Sequence, residues 1–356
     1  MSFRGVAKRH AVDARFSLVI AMLAQESRAR SYRMRFMEKS LTASYDPQRP
    51  VALPKTLGIL RRGLGDPTIR LSQTEAWLAF ATPLGDTTLH IHKPSPSSPA
   101  ALQAWGPGAQ WAMESAPNLL GAKDDWTDFD AGVKEGKFPE IIARSRFEHP
   151  DFVLPSTGRI FEHVTGAILE QRVTGIEANY AWRWLIRHLG HRAPGPAPEG
   201  LMIFPGPQKL ATMKRWDWQA ARVEGQRATT MARVVRVASS LQWWADKPIN
   251  QPKPAAMAPG TLEAALASVS GVGPWTIAET LQRSHGSADH ISVGDFHLAD
   301  FVGQVLAGSR ISDAQMLDLL APYAPHRQRV VRLLQLSGQR KQSFGPRYAP
   351  LDHRRR

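Results

Sequence analysis

The chain contains no cysteine. Disulfide cross-links, thiolate metal sites and cysteine-ligated iron–sulfur clusters are therefore excluded. No apolar run approaches the roughly 20 residues that a membrane-spanning helix needs. Acidic residues are few: 31 Asp and Glu stand against 45 Lys and Arg, a formal net charge of +14. An excess of that size implies a polyanionic partner, most simply DNA or RNA. Aromatic residues make up only 8% of the chain, yet 11 of them are Trp, which suits stacking on bases as well as packing. The 12 histidines offer no pair with convincing ligand spacing. His90 and His92 fall on one face of a strand, where a solvated surface is the simpler reading. Hydrophobic residues at 43% of 356 positions can form the cores of two or three domains.

Residues 1–50 carry more Lys and Arg than Asp and Glu and read as a basic N-terminal extension. It is either a flexible arm or sequence ahead of an internal start at Met34 or Met37. The apolar stretch Phe16 to Ala24 is short, and its flanks argue only weakly for a cleaved export signal. Residues 51–122 read as a small α+β domain. Thr68 to Leu71, Glu75 to Thr82 and Thr87 to His92 alternate in strand fashion, with turns at Gly65-Asp66-Pro67 and Leu84-Gly85-Asp86. Ala101 to Trp105 fits one more strand and Gln110 to Ala116 a short helix. Residues 123–155 are polar and are expected to form an irregular linker.

From Ser156 the period becomes helical. Ile160, Val164, Ile168 and Leu169 share a face, and Glu177 to Leu189 forms a second helix ended by Gly190. Met231, Val234, Val235, Ala238 and Leu241 follow the i, i+3, i+4 pattern. After a proline-rich connector from Pro248 to Pro259, helices are expected at 261–269, 275–284, 296–306, 312–320 and 326–337. Residues 156–339 thus read as an all-α region of two lobes. Residues 340–356 read as a basic tail that tracks phosphates. The fold class is α+β, a small antiparallel β domain followed by the helical region.

Within that region stands Val269-Ser270-Gly271-Val272-Gly273-Pro274-Trp275-Thr276. Gly271 and Gly273 permit backbone conformations that a side chain forbids. Pro274 brings a fixed φ and a missing N–H where a helix begins. The expectation is a tight turn between two helices whose free amides grip a phosphate. Ser292-Val293-Gly294-Asp295 then sets a carboxylate at the start of a further helix. Asp is a favoured N-cap, and Asp295 is also the carboxylate best placed beside the grip; the two roles are compatible. Asp289 precedes the motif in a loop and Asp300 lies inside the next helix, so both are poorer candidates.

Gly-Val-Gly-Pro-Trp-Thr followed by Val-Gly-Asp resembles the helix-hairpin-helix DNA glycosylases, and among them the bacterial 3-methyladenine DNA glycosylase II branch. The resemblance covers residues 55 to 340 and is strongest over 156–190 and 262–336. It implies base flipping from a duplex, with Asp295 as the catalytic carboxylate that stabilises positive charge on the sugar and orients water. Trp275 stands where strand-cleaving members have a lysine nucleophile. The resemblance therefore implies a monofunctional enzyme with Trp275 walling a pocket for a cationic alkylated purine; a core tryptophan at a helix start is the alternative. Ile168-Leu169-Glu170-Gln171-Arg172-Val173-Thr174 is similar to the stretch that fills the gap left by the flipped base. Gln171 matches it, while Arg172 replaces an apolar wedge or is plain surface charge. Tyr323-Ala324-Pro325-His326-Arg327 aligns with a segment that sets a second tryptophan over the base, here His326. Gly271, Val272, Gly273 and Thr276 are the implied DNA-binding residues. Glu170 and Glu177 are either further pocket carboxylates or helical surface charge.

Some members carry an iron–sulfur cluster, which a chain without cysteine cannot hold. The resemblance implies no required cofactor and no metal centre, apart from a hydrated monovalent cation bridging the hairpin carbonyls to a phosphate. It also implies duplex DNA with a damaged base as partner, no membrane, a monomer, and a cytoplasmic, nucleoid-associated location. Two alternatives stand beside it: a glycosylase for oxidised or deaminated bases, and a non-catalytic helix-hairpin-helix DNA-binding protein. Counterion release predicts that affinity for undamaged duplex falls steeply with salt. A flat salt titration of duplex binding would remove nucleic acid as the partner.

Overall fold

The computed structural model describes residues 40–253 and 260–339. Most of the basic extension (1–39), residues 254–259 of the proline-rich connector and the basic tail (340–356) lie outside the described residues. Five antiparallel strands, β1 (Leu41–Tyr45), β2 (Ile69–Leu71), β3 (Glu75–Thr82), β4 (Gly85–His92) and β5 (Ala100–Trp105), form one sheet in the order β1-β5-β4-β3-β2. Alternation sends Ala76, Leu78 and Phe80 of β3 to one face with Leu89 and Ile91 of β4. The register sets Leu78 opposite Leu89 and Ala76 opposite Ile91. Helix α1 (Leu53–Leu57) and helix α2 (Ala109–Leu119) cover this face with Leu53, Leu57, Ala112, Ala116 and Leu119. Each large aliphatic side chain so buried contributes roughly 1.5–3 kcal/mol.

Strand β1 moves the boundary drawn at residue 50. Leu41 pairs with Ala104 and Tyr45 with Ala100, so the sheet domain begins inside the expected extension. The three central residues of β1 are exposed. An edge strand of this kind carries no apolar alternation to announce it.

The helices that follow are α3 (Thr127–Lys134), α4 (Glu140–Glu148), α5 (Ile160–Glu170), α6 (Gly175–Leu189), α7 (Pro207–Leu210), α8 (Arg215–Ala220), α9 (Gly225–Leu241), α10 (Leu262–Ala267), α11 (Pro274–Ser284), α12 (Leu298–Ala307), α13 (Asp313–Leu320) and α14 (Arg327–Leu336). None is long and apolar enough to cross a membrane. They form two lobes. In the first, Ile160, Val164 and Ile168 of α5 pack with Trp182 and Leu185 of α6, Met231 and Val234 of α9 and Leu281 of α11. A capping box opens α6: the Thr174 hydroxyl accepts from the Glu177 amide, and the Glu177 carboxylate accepts from the Thr174 amide.

In the second lobe, Val302 of α12, Met316 and Leu320 of α13 and Val330 and Leu334 of α14 close over Trp126, Phe129, Ile142 and Phe152. Residues 123–155 are therefore part of the second lobe, not an irregular linker. Their two helices are short and rich in polar residues, so no long apolar stripe marks them. Distant partners hold them instead. The Asp124 carboxylate pairs with Arg329, with side-chain exposures of 2% and 6%. It also accepts from Trp126 Nε1 at 2.6 Å and from the Leu154 amide at 2.7 Å. The Ser145 hydroxyl donates to the Leu333 carbonyl at 2.7 Å. Asp124→Ala leaves Arg329 buried without its counter-charge and is expected to cost roughly 3–5 kcal/mol in urea unfolding. A loss below about 1 kcal/mol, the range of an exposed pair, would show that this pair does not join 123–155 to the C-terminal helices.

Candidate active site

Helices α10 and α11 are joined by a tight turn in which the Val272 amide donates to the Val269 carbonyl at 2.9 Å. Gly271 has φ 97°, and a Cβ there would lie 2.1 Å from Thr230 Oγ1 of α9. Both its backbone and its neighbour demand glycine. Gly273 departs from the expectation. Its φ of −99° is open to any residue, and nothing lies within 4 Å of a Cβ built there. Its small size bears only on what approaches from outside. Pro274 opens α11 and no side chain caps the helix. The exposed part of the hairpin is Gly271, Gly273 and Pro274, and a helix start without a side-chain cap is the kind of place where an anion can bind. Val272 and Thr276 are 5% and 2% exposed, so their side chains are packed into the protein and not offered to a ligand.

Two side chains brace the hairpin. Gln171, at the end of α5, donates through Nε2 to the Gly271 carbonyl at 2.9 Å and to Thr276 Oγ1 at 2.8 Å. It is a strut between α5 and the hairpin, with its amide nitrogen already committed. Arg233 of α9 donates to the Ser270 carbonyl at 3.0 Å and to its hydroxyl at 3.2 Å. Beside the strut, Arg172 is exposed and has φ 53°. A residue other than glycine in this region is strained, and strain of this kind clusters at functional sites.

The turn Ser292–Asp295 faces the start of α11. The Asp295 amide donates to the Ser292 carbonyl at 3.2 Å, and Gly294 has φ 87°, as the third residue of a type II turn requires. The two oxygens of the half-buried Asp295 carboxylate have different partners. Oδ1 accepts from the amides of His297 and Leu298 at 2.9 and 3.0 Å and so caps α12. Oδ2 accepts from Trp275 Nε1 at 3.4 Å, a long contact. The structure thus brings together Trp275, Asp295, the hairpin, Gln171 and, next to it, Arg172.

The remaining acidic candidates are engaged elsewhere. Asp289 binds Arg327 at 2.8 and 2.5 Å, and Asp300 binds Arg310 at 2.9 Å. Glu170 pairs with Arg62 at 2.5 Å, and Glu177 belongs to the capping box of α6. His326 packs against Arg329 and Phe129. Its Nδ1 lies 2.7 Å from Arg329 Nη1, and its ring stands edge-on to Phe129 at 5.5 Å. Burial first, and then the Arg329 charge, hold the imidazole below its ordinary pKa. His90 stacks on Trp77 at 3.9 Å and is not on an open face.

The sequence reading passed over Glu279. It lies one helical turn from Trp275, with its side chain 14% exposed. Oε1 accepts from the Ser292 hydroxyl and Oε2 from Arg283 Nη1, each at 2.5 Å. Burial opposes ionisation of Glu279, but Arg283, the Ser292 hydroxyl and Arg62 outweigh it and hold its carboxyl below the usual range. The spacing from Trp275 was the available signal.

No family model matches the sequence, and no curated protein matches it. Solved structures do match, and they share the helix-hairpin-helix DNA glycosylase fold. The 3-methyladenine DNA glycosylase of Archaeoglobus fulgidus superposes with a TM-score of 0.64 at 11% identity, covering 82% of this chain and 97% of that one. MBOgg1, in complex with a low-affinity DNA ligand, gives 0.61 at 11% identity, with 85% and 96% covered. The apo 8-oxoguanine glycosylase/lyase of Clostridium acetobutylicum gives 0.53 at 10% identity, with 76% and 99% covered. The chain therefore has this α+β fold over nearly the whole length of those neighbours.

The two hairpin glycines should separate in mutants. Gly271→Ala is expected to lose about 1–3 kcal/mol of stability, together with duplex affinity. Gly273→Val should melt like the wild type yet bind damaged and undamaged duplex more weakly. Normal binding of both duplexes by Gly273→Val would show that the hairpin is not a phosphate grip.

Proposed function

We propose that the chain is a monofunctional DNA glycosylase that excises an alkylated purine of the 3-methyladenine or 7-methylguanine type. The observation that carries this reading is the divided carboxylate of Asp295, beside an outward-facing hairpin. One oxygen is fixed as a helix cap, which orients the other toward Trp275. A flipped nucleotide entering there places its sugar next to a fixed negative charge. The glycosidic bond then breaks with its electron pair leaving on the base. The carboxylate stabilises the positive sugar, and water adds to C1′ and gives up a proton. A base that already carries positive charge needs no acid to leave.

The face of Trp275 suits such a cation. Its ring offers no amine to form a covalent link to the sugar, which supports base release without strand cleavage. Arg172, exposed at the end of α5, is the residue available for the gap in the duplex. The protein would act as a monomer on chromosomal DNA in the cytoplasm. The carbonyls of Ser270 and Gly271 already accept from Arg233 and Gln171. A hydrated monovalent cation bridging the hairpin carbonyls to a phosphate would share such oxygens with these donors, since each carbonyl oxygen has a second lone pair.

The deciding experiment incubates the protein with duplexes carrying alkylated, oxidised or deaminated bases and scores abasic sites. Release of 8-oxoguanine or a deaminated base in preference to methylated purines would overturn the substrate assignment. A borohydride-trapped adduct would overturn the monofunctional one. In Asp295→Asn the side-chain oxygen can still accept from the His297 and Leu298 amides, so folding should persist. Single-turnover base release should fall on the order of 10²–10³-fold. Near-wild-type release by a folded Asp295→Asn protein would promote the non-catalytic DNA-binding reading.

A further inference from the structure

We propose that Glu279 is the positioning residue of Asp295, acting through the hydroxyl of Ser292. The role of Asp295 is taken from the glycosylase reading; the geometry is independent of it. Trp275, Glu279 and Gln282 recur at i, i+4 and i+7 and so share one face of α11. All three hold the turn that carries the carboxylate. Trp275 donates to Asp295 Oδ2. Glu279 accepts from the Ser292 hydroxyl at 2.5 Å, and Gln282 donates to that hydroxyl at 3.1 Å and to the His290 carbonyl at 2.9 Å. The Ser292 carbonyl in turn accepts the Asp295 amide. Ser292 and Gln282 are each 5% exposed, so water cannot readily replace these bonds.

Both Glu279 oxygens are occupied, one by Ser292 and one by Arg283. The carboxylate is therefore arranged to hold rather than to exchange protons with a substrate. Arg283 is itself anchored, donating through Nε to the Ile59 carbonyl of the sheet domain at 3.0 Å. One helix thus fixes the carboxylate relative to the indole at two points. Its own position is referenced to the neighbouring domain.

The test compares Glu279→Ala, Ser292→Ala, their double variant and Glu279→Gln. Three readouts are needed: single-turnover release of whichever base the wild type excises, affinity for an abasic duplex, and the indole ¹H–¹⁵N resonance of Trp275, assigned with Trp275→Phe. Glu279→Ala and Ser292→Ala should each slow release by roughly 10–100-fold, the scale of a small misplacement of a reacting group. Abasic-duplex affinity should stay near wild type, and the Trp275 resonance should move. The double variant should be no slower than either single one, because both remove the same link. Glu279→Gln retains an oxygen acceptor for Ser292 and should recover most of the rate. If Glu279→Ala does not fold, Ser292→Ala leaves the Glu279–Arg283 pair intact and carries the same test.

Multiplicative losses, Glu279→Gln as slow as Glu279→Ala, or an unmoved Trp275 resonance would overturn the proposal. The two readings can fail separately. A wild type that releases no base, with a resonance that still moves in both variants, sinks the enzymatic reading and leaves the positioning intact. Normal release and an unmoved resonance in the variants sink the positioning alone.

Discussion

The cap that Asp295 makes on α12 fixes the direction of its second carboxylate oxygen. A carboxylate on a free turn would point wherever solvent took it. Here two amide donors at 2.9 and 3.0 Å hold Oδ1, and Gly294 supplies the left-handed backbone that the turn requires. Oδ2 is then presented to Trp275. A side chain that reads as a routine helix cap in sequence becomes an oriented charge because the partner across from it is an indole donor on another helix.

Helix α11 carries most of what that arrangement needs. Its start is the hairpin, its first turn holds Trp275 and Thr276, and its second holds Glu279. Its end holds Arg283, which reaches the sheet domain. The charges around it are paired: Glu279 with Arg283, Arg62 with Glu170. Unpaired, each would be strongly destabilising in such a place. Arg332, nearby, has its pKa pushed down to about 10 by burial and then by the Arg283 charge, with Glu279 opposing. Arg62 comes close enough to α5 that a Cβ on Gly166 would lie 2.1 Å from its guanidinium carbon. That contact explains a glycine in the middle of a helix, where it otherwise weakens the helix.

Much of this was legible in the residues. Strands β3 and β4 and helices α9 to α14 announced themselves by period, and the glycine hairpin and Asp295 by residue type and spacing. Two features did not. Residues 123–155 looked like a linker because their helices are stabilised by Asp124–Arg329 and Ser145–Leu333, contacts between residues far apart in sequence. Strand β1 carries no alternation because it lies at a sheet edge with an exposed centre.

The sequence by itself determined many local outcomes: most of the segments that are helix or strand, where α11 starts, and that a carboxylate follows it on a glycine turn. Those follow from side-chain period and from the φ that glycine and proline permit, both properties of neighbouring residues. Only the tertiary structure decided the partners. Gln171 braces the hairpin because α5 ends within reach of Gly271 and Thr276. Glu279 could have been solvated, and it holds Ser292 because the Ser292–Asp295 turn folds back onto the face of α11. A hydrogen bond selects its partner by distance in space, and spacing along the chain does not encode that distance.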